Sequence, residues 1–164
     1  MLLTVLSLIF PVVMVLAMVS DFRHFEIPNG LSLVLLSAYP LAAIIGGLPW
    51  QTILWAFALG ALVLIVMMIA FVFGVMGGGD CKLLAAAVLW TGTEQLLEFL
   101  LITSIAGGIL SLSLLLFRRY PLPAVLSGMP TMQRMHAGEK NVPYAVAIAA
   151  AGLMVYPHLP MLDS

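Results

Sequence analysis

Apolar runs close to twenty residues long recur along this chain of 164 residues, and they leave it few folds to choose from. Segments such as VLLSAYPLAAII and ALVLIVMMIAFVF are apolar on every side. The chain is 63% hydrophobic and only 8% charged, with a mean hydropathy of +1.19. A water-soluble domain of this size needs far more polar surface. The solvent these runs suit is a lipid bilayer, in which every backbone polar group must be satisfied internally, by helices or by a closed barrel. Barrel strands alternate apolar and polar residues, and these runs do not. The expected fold is therefore an all-α polytopic membrane protein, forming one membrane-embedded domain over residues 1–164.

A spanning helix takes roughly 20 apolar residues. Six segments qualify as candidates: 2–20, 31–48, 51–73, 81–92, 96–117 and 143–160. The fourth is short and would have to thin the bilayer, start below the headgroups or be re-entrant. Charge placement argues for counting it. With six transmembrane helices, Arg23, Lys82, Arg118, Arg119, Arg134 and Lys140 all fall on one side. The opposite loops carry Glu94 and Glu98 and no basic residue. Basic loops stay in the cytoplasm, so this arrangement puts the N-terminus outside. The first twenty residues lack a basic lead-in and read as a retained span, not a signal peptide. The hydrophilic stretch 118–141, rich in Pro and Gly, is expected to lie partly on the membrane surface.

Two acids stand out against this background. Asp21 closes the first apolar segment, in SDFRHFEIPNG, and Asp80 closes the third, in VMGGGDCKLLAAA, 59 positions later. Acids at membrane depth are expensive and mark functional sites by default. Both fall on the side assigned to the cytoplasm. Two carboxylates that share a site cannot both ionise easily. One can then activate water while the other, protonated, polarises a carbonyl. Gly77, Gly78 and Gly79 remove three consecutive Cβ atoms beside Asp80, which allows unusual backbone angles and close approach of an extended substrate strand. Each acid has a plainer reading. Asp80 can be an N-cap after a glycine loop. Asp21 can be an interfacial charge paired with a neighbour such as Arg23.

Other functions find little support. A net charge of −1 gives no sign of nucleic-acid binding. Cys81 is the single cysteine, so it forms no intramolecular disulfide and no CxxC site. His24, His136 and His158 are scattered without metal-ligand spacing. Pro28 and Asn29 read as a helix stop followed by a helix start. Lys82, Arg118 and Arg119 read as positive-side anchors, with a site role open for Lys82 through Asp80 or a substrate backbone. Gly107 and Gly108 beside Ala106 read as close helix packing.

The motifs, taken together, resemble a known family. GGGD at 77–80 fits the GxGD motif of intramembrane aspartic proteases. Asp21 followed by Ile27-Pro28-Asn29 resembles the D-x5-IPN pattern of the prepilin peptidases. The run Gly79-Asp80-Cys81-Lys82-Leu83-Leu84-Ala85-Ala86 is similar to their GD-x-KLLAA, and Pro143 to Ala149 to their last-helix signature. The chain most resembles the short Flp-type (tight adherence) form, without a cysteine-containing loop or a methyltransferase half. It lacks the YD and PAL motifs of presenilin-type proteases. The resemblance implies an aspartic endopeptidase without metal or cofactor in the bacterial inner (cytoplasmic) membrane. Such an enzyme removes a short basic leader from a type IV prepilin or pseudopilin at the cytoplasmic face. Asp21 and Asp80 would be the catalytic pair. Gly77, Gly78, Gly79, Glu26 and Lys82 would contact substrate, with Asp21, Glu26 and Asp80 attracting the basic leader. Two competing classes are a non-enzymatic membrane subunit of a pilus or secretion system and a proton-coupled carrier. The scaffold leaves the paired acids unexplained. A carrier usually holds its acids near the bilayer midplane in broken helices.

Overall fold

The computed structural model describes residues 2–119, 133, 136 and 142–162, and among them every regular element is helical. Helix α1 runs over Leu2–His24, α2 over Asn29–Ile45, α3 over Trp50–Val72, α4 over Gly78–Thr91, α5 over Leu96–Arg119 and α6 over Tyr144–Val155. A single 3-10 turn, Tyr156–His158, extends α6. All six apolar segments named above are helices. Three of them (α1, α3 and α5) are long and apolar enough to cross a membrane. Helices α2 and α6 are apolar but shorter. The expectation for 118–141 falls outside the described residues except at the α5 terminus, Gln133 and His136.

Local sequence explains the helix boundaries. Helix α1 is interrupted at Leu8, between Leu2–Ser7 and Ile9–His24. Pro11 has no N–H for the Ser7 carbonyl, and its ring crowds that same carbonyl, which breaks the ladder there. At its far end α1 stops at Phe25, whose left-handed backbone (φ 55) closes an N–H bond of 2.8 Å to the Asp21 carbonyl. Pro28 is extended (ψ 129) and α2 starts at Asn29, as the IPN run suggests. Asn29 is the first helical residue and Pro28 holds the cap position, so the Asn29 side chain does not cap the helix; it accepts a bond from Lys82 instead.

Helix α4 differs from the rest. Its 14 residues reach only about 21 Å, short of the roughly 30 Å hydrocarbon core. From Leu83 to Thr91 every residue is buried. It packs against α2, α3 and α6, while α6 packs on α1 and α5. The short fourth segment is thus the centre of the bundle, packed against other helices on most of its surface. Its Trp90 is fully buried, donates its indole N–H to the Leu35 carbonyl at 3.1 Å, and meets the rings of Phe10 and Tyr39 at 5.5 and 6.0 Å. Small residues bring helices close. A Cβ on Gly60 would collide with Leu89 and sit 3.2 Å from the Ala85 carbonyl, and one on Gly107 would sit 3.1 Å from the Tyr144 ring. Gly107 therefore has the packing role expected of it, whereas Gly108 faces open space. The outer faces of α3 and α5 stay apolar and exposed, as lipid requires.

Candidate active site

Three chain segments meet at one end of the bundle: the α1–α2 connection, the α3–α4 connection and the start of α6. Between them lies a cavity of about 500 Å³ lined by Asp21 and Asp80, by Gly77, Gly78 and Gly79, and by the rings of Phe25, Phe71 and Tyr144. The two acids named from sequence thus share one cavity. Asp21 is 5% exposed and Asp80 is 7% exposed, and they lie close enough for their charges to repel.

Each carboxylate is held by backbone. Asp21 belongs to the last turn of α1, where the helix carbonyls do not welcome a negative charge. The N–H of Ala145 compensates, donating to Asp21 Oδ2 at 3.0 Å. Ala145 is the second residue of α6, so the acid sits at a helix N-terminus with unused donors. The backbone N–H groups of Ala145 and Gly77 also lie near the Asp80 carboxyl. Asp80 is not the N-cap of α4. Gly77 holds that place, and Asp80 lies three residues inside, its carboxyl folded back beside Gly77, the placement of the acid in a capping box. Asp80 Oδ1 is buried and has no hydrogen-bond partner among the described residues. A buried carboxyl oxygen left in that state is costly unless something occupies the cavity and completes it.

The triple glycine works differently from the expectation of unusual backbone angles. Gly77 is extended (φ −70, ψ 146), and Gly78 and Gly79 are the first two residues of α4. No φ here is positive; the left-handed glycine of this connection is Gly74 (φ 69). Close approach is what demands glycine. A Cβ at 77 would stand 2.8 Å from Asp80 Oδ2, and one at 79 would stand 3.1 Å from Ile27 Cβ. At 78 the nearest atom is a Phe71 ring carbon at 3.4 Å, an ordinary contact.

The other sequence candidates lie apart from the acids. Lys82 points away from Asp80, its Nζ donating to Asn29 Oδ1 at 3.0 Å at the edge of a second cavity. That bond ties the IPN run to the GD-x-K run. Glu26 is exposed outside the cavity wall, and its backbone carbonyl accepts a 2.8 Å bond from Ser20 Oγ. No group of three or more His, Cys, Asp and Glu side chains that could hold a metal occurs among the described residues. Two contributors were not singled out from sequence. Ala145 acts through its backbone, which leaves no side-chain signal. Phe25 forms cavity wall through a left-handed backbone rare for a bulky residue.

With this geometry in place, comparison with known families is decisive. The model of the type IV leader peptidase family matches residues 8–112, nearly two-thirds of the chain, including both aspartates and the triple glycine. The chain belongs to the type IV leader peptidase family. No curated protein and no solved structure matches it. The matched segment ends inside α5, so α6, which supplies the Ala145 N–H to Asp21, lies beyond it.

Proposed function

We propose that the protein is an aspartic endopeptidase that removes the basic leader of a type IV prepilin of the Flp class at the cytoplasmic face of the inner membrane. The observation that carries this reading is the placement of two buried carboxylates, Asp21 from α1 and Asp80 from α4, on the wall of one cavity. Membership in a leader peptidase family supplies the reaction class.

The chemistry follows from the pair. Sharing one proton, the two acids present a base and an acid to the same peptide. The ionised member takes a proton from water as that water attacks the scissile carbonyl. The protonated member donates to the carbonyl oxygen, and the proton taken from water then passes to the leaving amine. The pair acts as a unit, so neither residue owns one role. The Ala145 and Gly77 N–H groups fix the carboxylates in place, which is the positioning that acid–base catalysis needs.

The membrane arrangement belongs to the same proposal. All six helices lie across the bilayer, α4 within the ring of the others, with the acids on the side that carries the basic loops. A prepilin keeps its basic head on that side by the same charge rule, so leader and acids meet there. Glu26, exposed beside the cavity, adds negative charge for the leader.

Co-expression with an Flp-type prepilin, read by mass spectrometry, tests the proposal. Wild type is expected to yield mature pilin, and Asp21→Asn and Asp80→Asn, each present in the membrane, are expected to leave the precursor intact. Cleavage that persists in either variant removes that residue from catalysis. Precursor left uncut by wild type across a panel of prepilins refutes the peptidase reading and favours a scaffold.

A further inference from the structure

A second cavity, of about 370 Å³, lies between α2, α3 and α4. Its size is within the range of small-ligand sites, roughly 300–1,000 Å³. Its lining is graded along the helices. Asn29 and Ser32 come from the first turn of α2 and Lys82 is the fifth residue of α4, so the polar residues gather at one end. Deeper along the same helices the wall is apolar, formed by Leu36, Ala86 and Leu89 with Phe57 and Leu64 of α3. Helices α2 and α3 make little direct contact, and Leu33 and Ala61, on the two lips, are exposed, so the cavity opens sideways towards the bilayer.

The gradient matches an amphiphile with an anionic head. The Lys82 ammonium spends one N–H on Asn29 Oδ1 and bonds no carboxylate among the described residues. A lysine ammonium has three donors, so two remain for an anion at the cavity mouth. Ser32 adds a hydroxyl on the same rim. From Lys82 to Leu89 the wall runs about 10 Å along α4, enough for the first part of an extended acyl chain. A cavity lined by hydrocarbon and open to hydrocarbon is filled by it, since water finds too few polar partners there.

We infer that this cavity is a binding site for one anionic phospholipid, its phosphate on Lys82, Ser32 and Asn29 and an acyl chain between α2, α3 and α4. The site is separate from the cavity that holds the aspartates. The wall between them is thin: Ile27 and Gly79, in contact on the aspartate side, lie two and three residues from Asn29 and Lys82 on the lipid side. The bound lipid therefore braces the start of α4, which carries Asp80.

Native mass spectrometry of the purified full chain, exchanged into nanodiscs of phosphatidylglycerol or phosphatidylcholine and released gently, reads the bound lipid directly. Wild type is expected to retain one phosphatidylglycerol in preference to phosphatidylcholine by about fivefold, the amount one basic residue near an anionic surface contributes. Lys82→Gln is expected to abolish the preference while keeping a lipid. Ala61→Trp, which fills the cavity from the exposed face of α3, is expected to lose the retained lipid of both kinds. Leu33→Trp does the same from α2 if the first variant folds poorly, and Ile65→Trp, exposed on α3 outside the cavity, serves as the control. Equal retention by wild type, Lys82→Gln and both cavity-filling variants overturns the proposal. So does a co-purified peptide in place of lipid, which makes the cavity a docking groove for a substrate helix.

Discussion

Replacing Gly77 with alanine isolates the geometric demand placed on Asp80. The backbone at 77 (φ −70, ψ 146) suits any residue, so alanine adds no conformational strain. By restricting the unfolded chain it would even favour folding, by about 0.4–1 kcal/mol. The only obstacle is the new methyl group, which would stand 2.8 Å from Asp80 Oδ2 when ordinary contact begins near 3.4 Å. The carboxylate must therefore retreat by about 0.6 Å, the difference between those distances. In doing so it strains its bond to the Gly77 N–H, an interaction worth roughly 0.5–1.5 kcal/mol. A displacement of about 1 Å at a reacting group costs on the order of 100-fold in rate, so a loss of roughly 10- to 100-fold in kcat is expected. The assay is prepilin cleavage by the purified enzyme in detergent, with a thermal melt of each variant alongside. Gly77→Ala should melt close to the wild-type temperature, the entropic gain and the strain at Asp80 being of similar size, while cleaving far more slowly. Gly78→Ala, whose methyl meets only a Phe71 ring at 3.4 Å, should keep within about twofold of wild-type rate. Wild-type kcat in Gly77→Ala would show that Asp80 tolerates the shift and would refute the reasoning.

Gly79→Ala pushes α4 away from Ile27 and should lower both melting temperature and rate, because Ile27 Cβ and its carbonyl stand 3.1 and 3.5 Å from the added carbon; an unchanged melt would contradict it. Trp90→Phe removes the indole donor from Leu35, worth about 0.5–1.5 kcal/mol, and leaves space between Phe10 and Tyr39 that adds to the loss, read as a lower melting temperature. Glu26→Gln should raise KM for a basic leader and leave kcat near wild type, since Glu26 is exposed outside the aspartate cavity; equal cleavage at every substrate concentration would remove it from leader binding. Ala145→Pro deletes the N–H that Asp21 accepts and, near the helix start where proline is tolerated, should cut kcat by more than tenfold with α6 still formed; circular dichroism and cleavage of the same sample separate the two effects.

Much of the fold was legible because a bilayer leaves a chain so few choices. Hydrophobicity and charge gave six segments, and each is a helix, with Leu2–His24, Trp50–Val72 and Leu96–Arg119 as the long ones. The short fourth segment was legible as an oddity but not as the bundle's centre, because a run that is apolar all round looks the same facing lipid or protein. The shared cavity of Asp21 and Asp80 was anticipated from two rare acids on one side of the membrane. What the sequence misassigned were directions within a turn. Lys82, two residues past Asp80, projects to another face of α4 and bonds Asn29. Asp80 looks like an N-cap until the helix is seen to begin at Gly78. Residues that act through an N–H, as Ala145 does, leave no mark on a pattern of side chains.

The bond from the Ala145 N–H to Asp21 sets an order of assembly. During synthesis Asp21 and Asp80 emerge long before Ala145, which follows Asp80 by 65 residues. At roughly 5–20 residues per second, about 3–13 s pass between them. Through that interval the nascent chain carries two acids without the backbone donor that orients Asp21. On the proposed mechanism, the pair is complete only once the closing helix has been made.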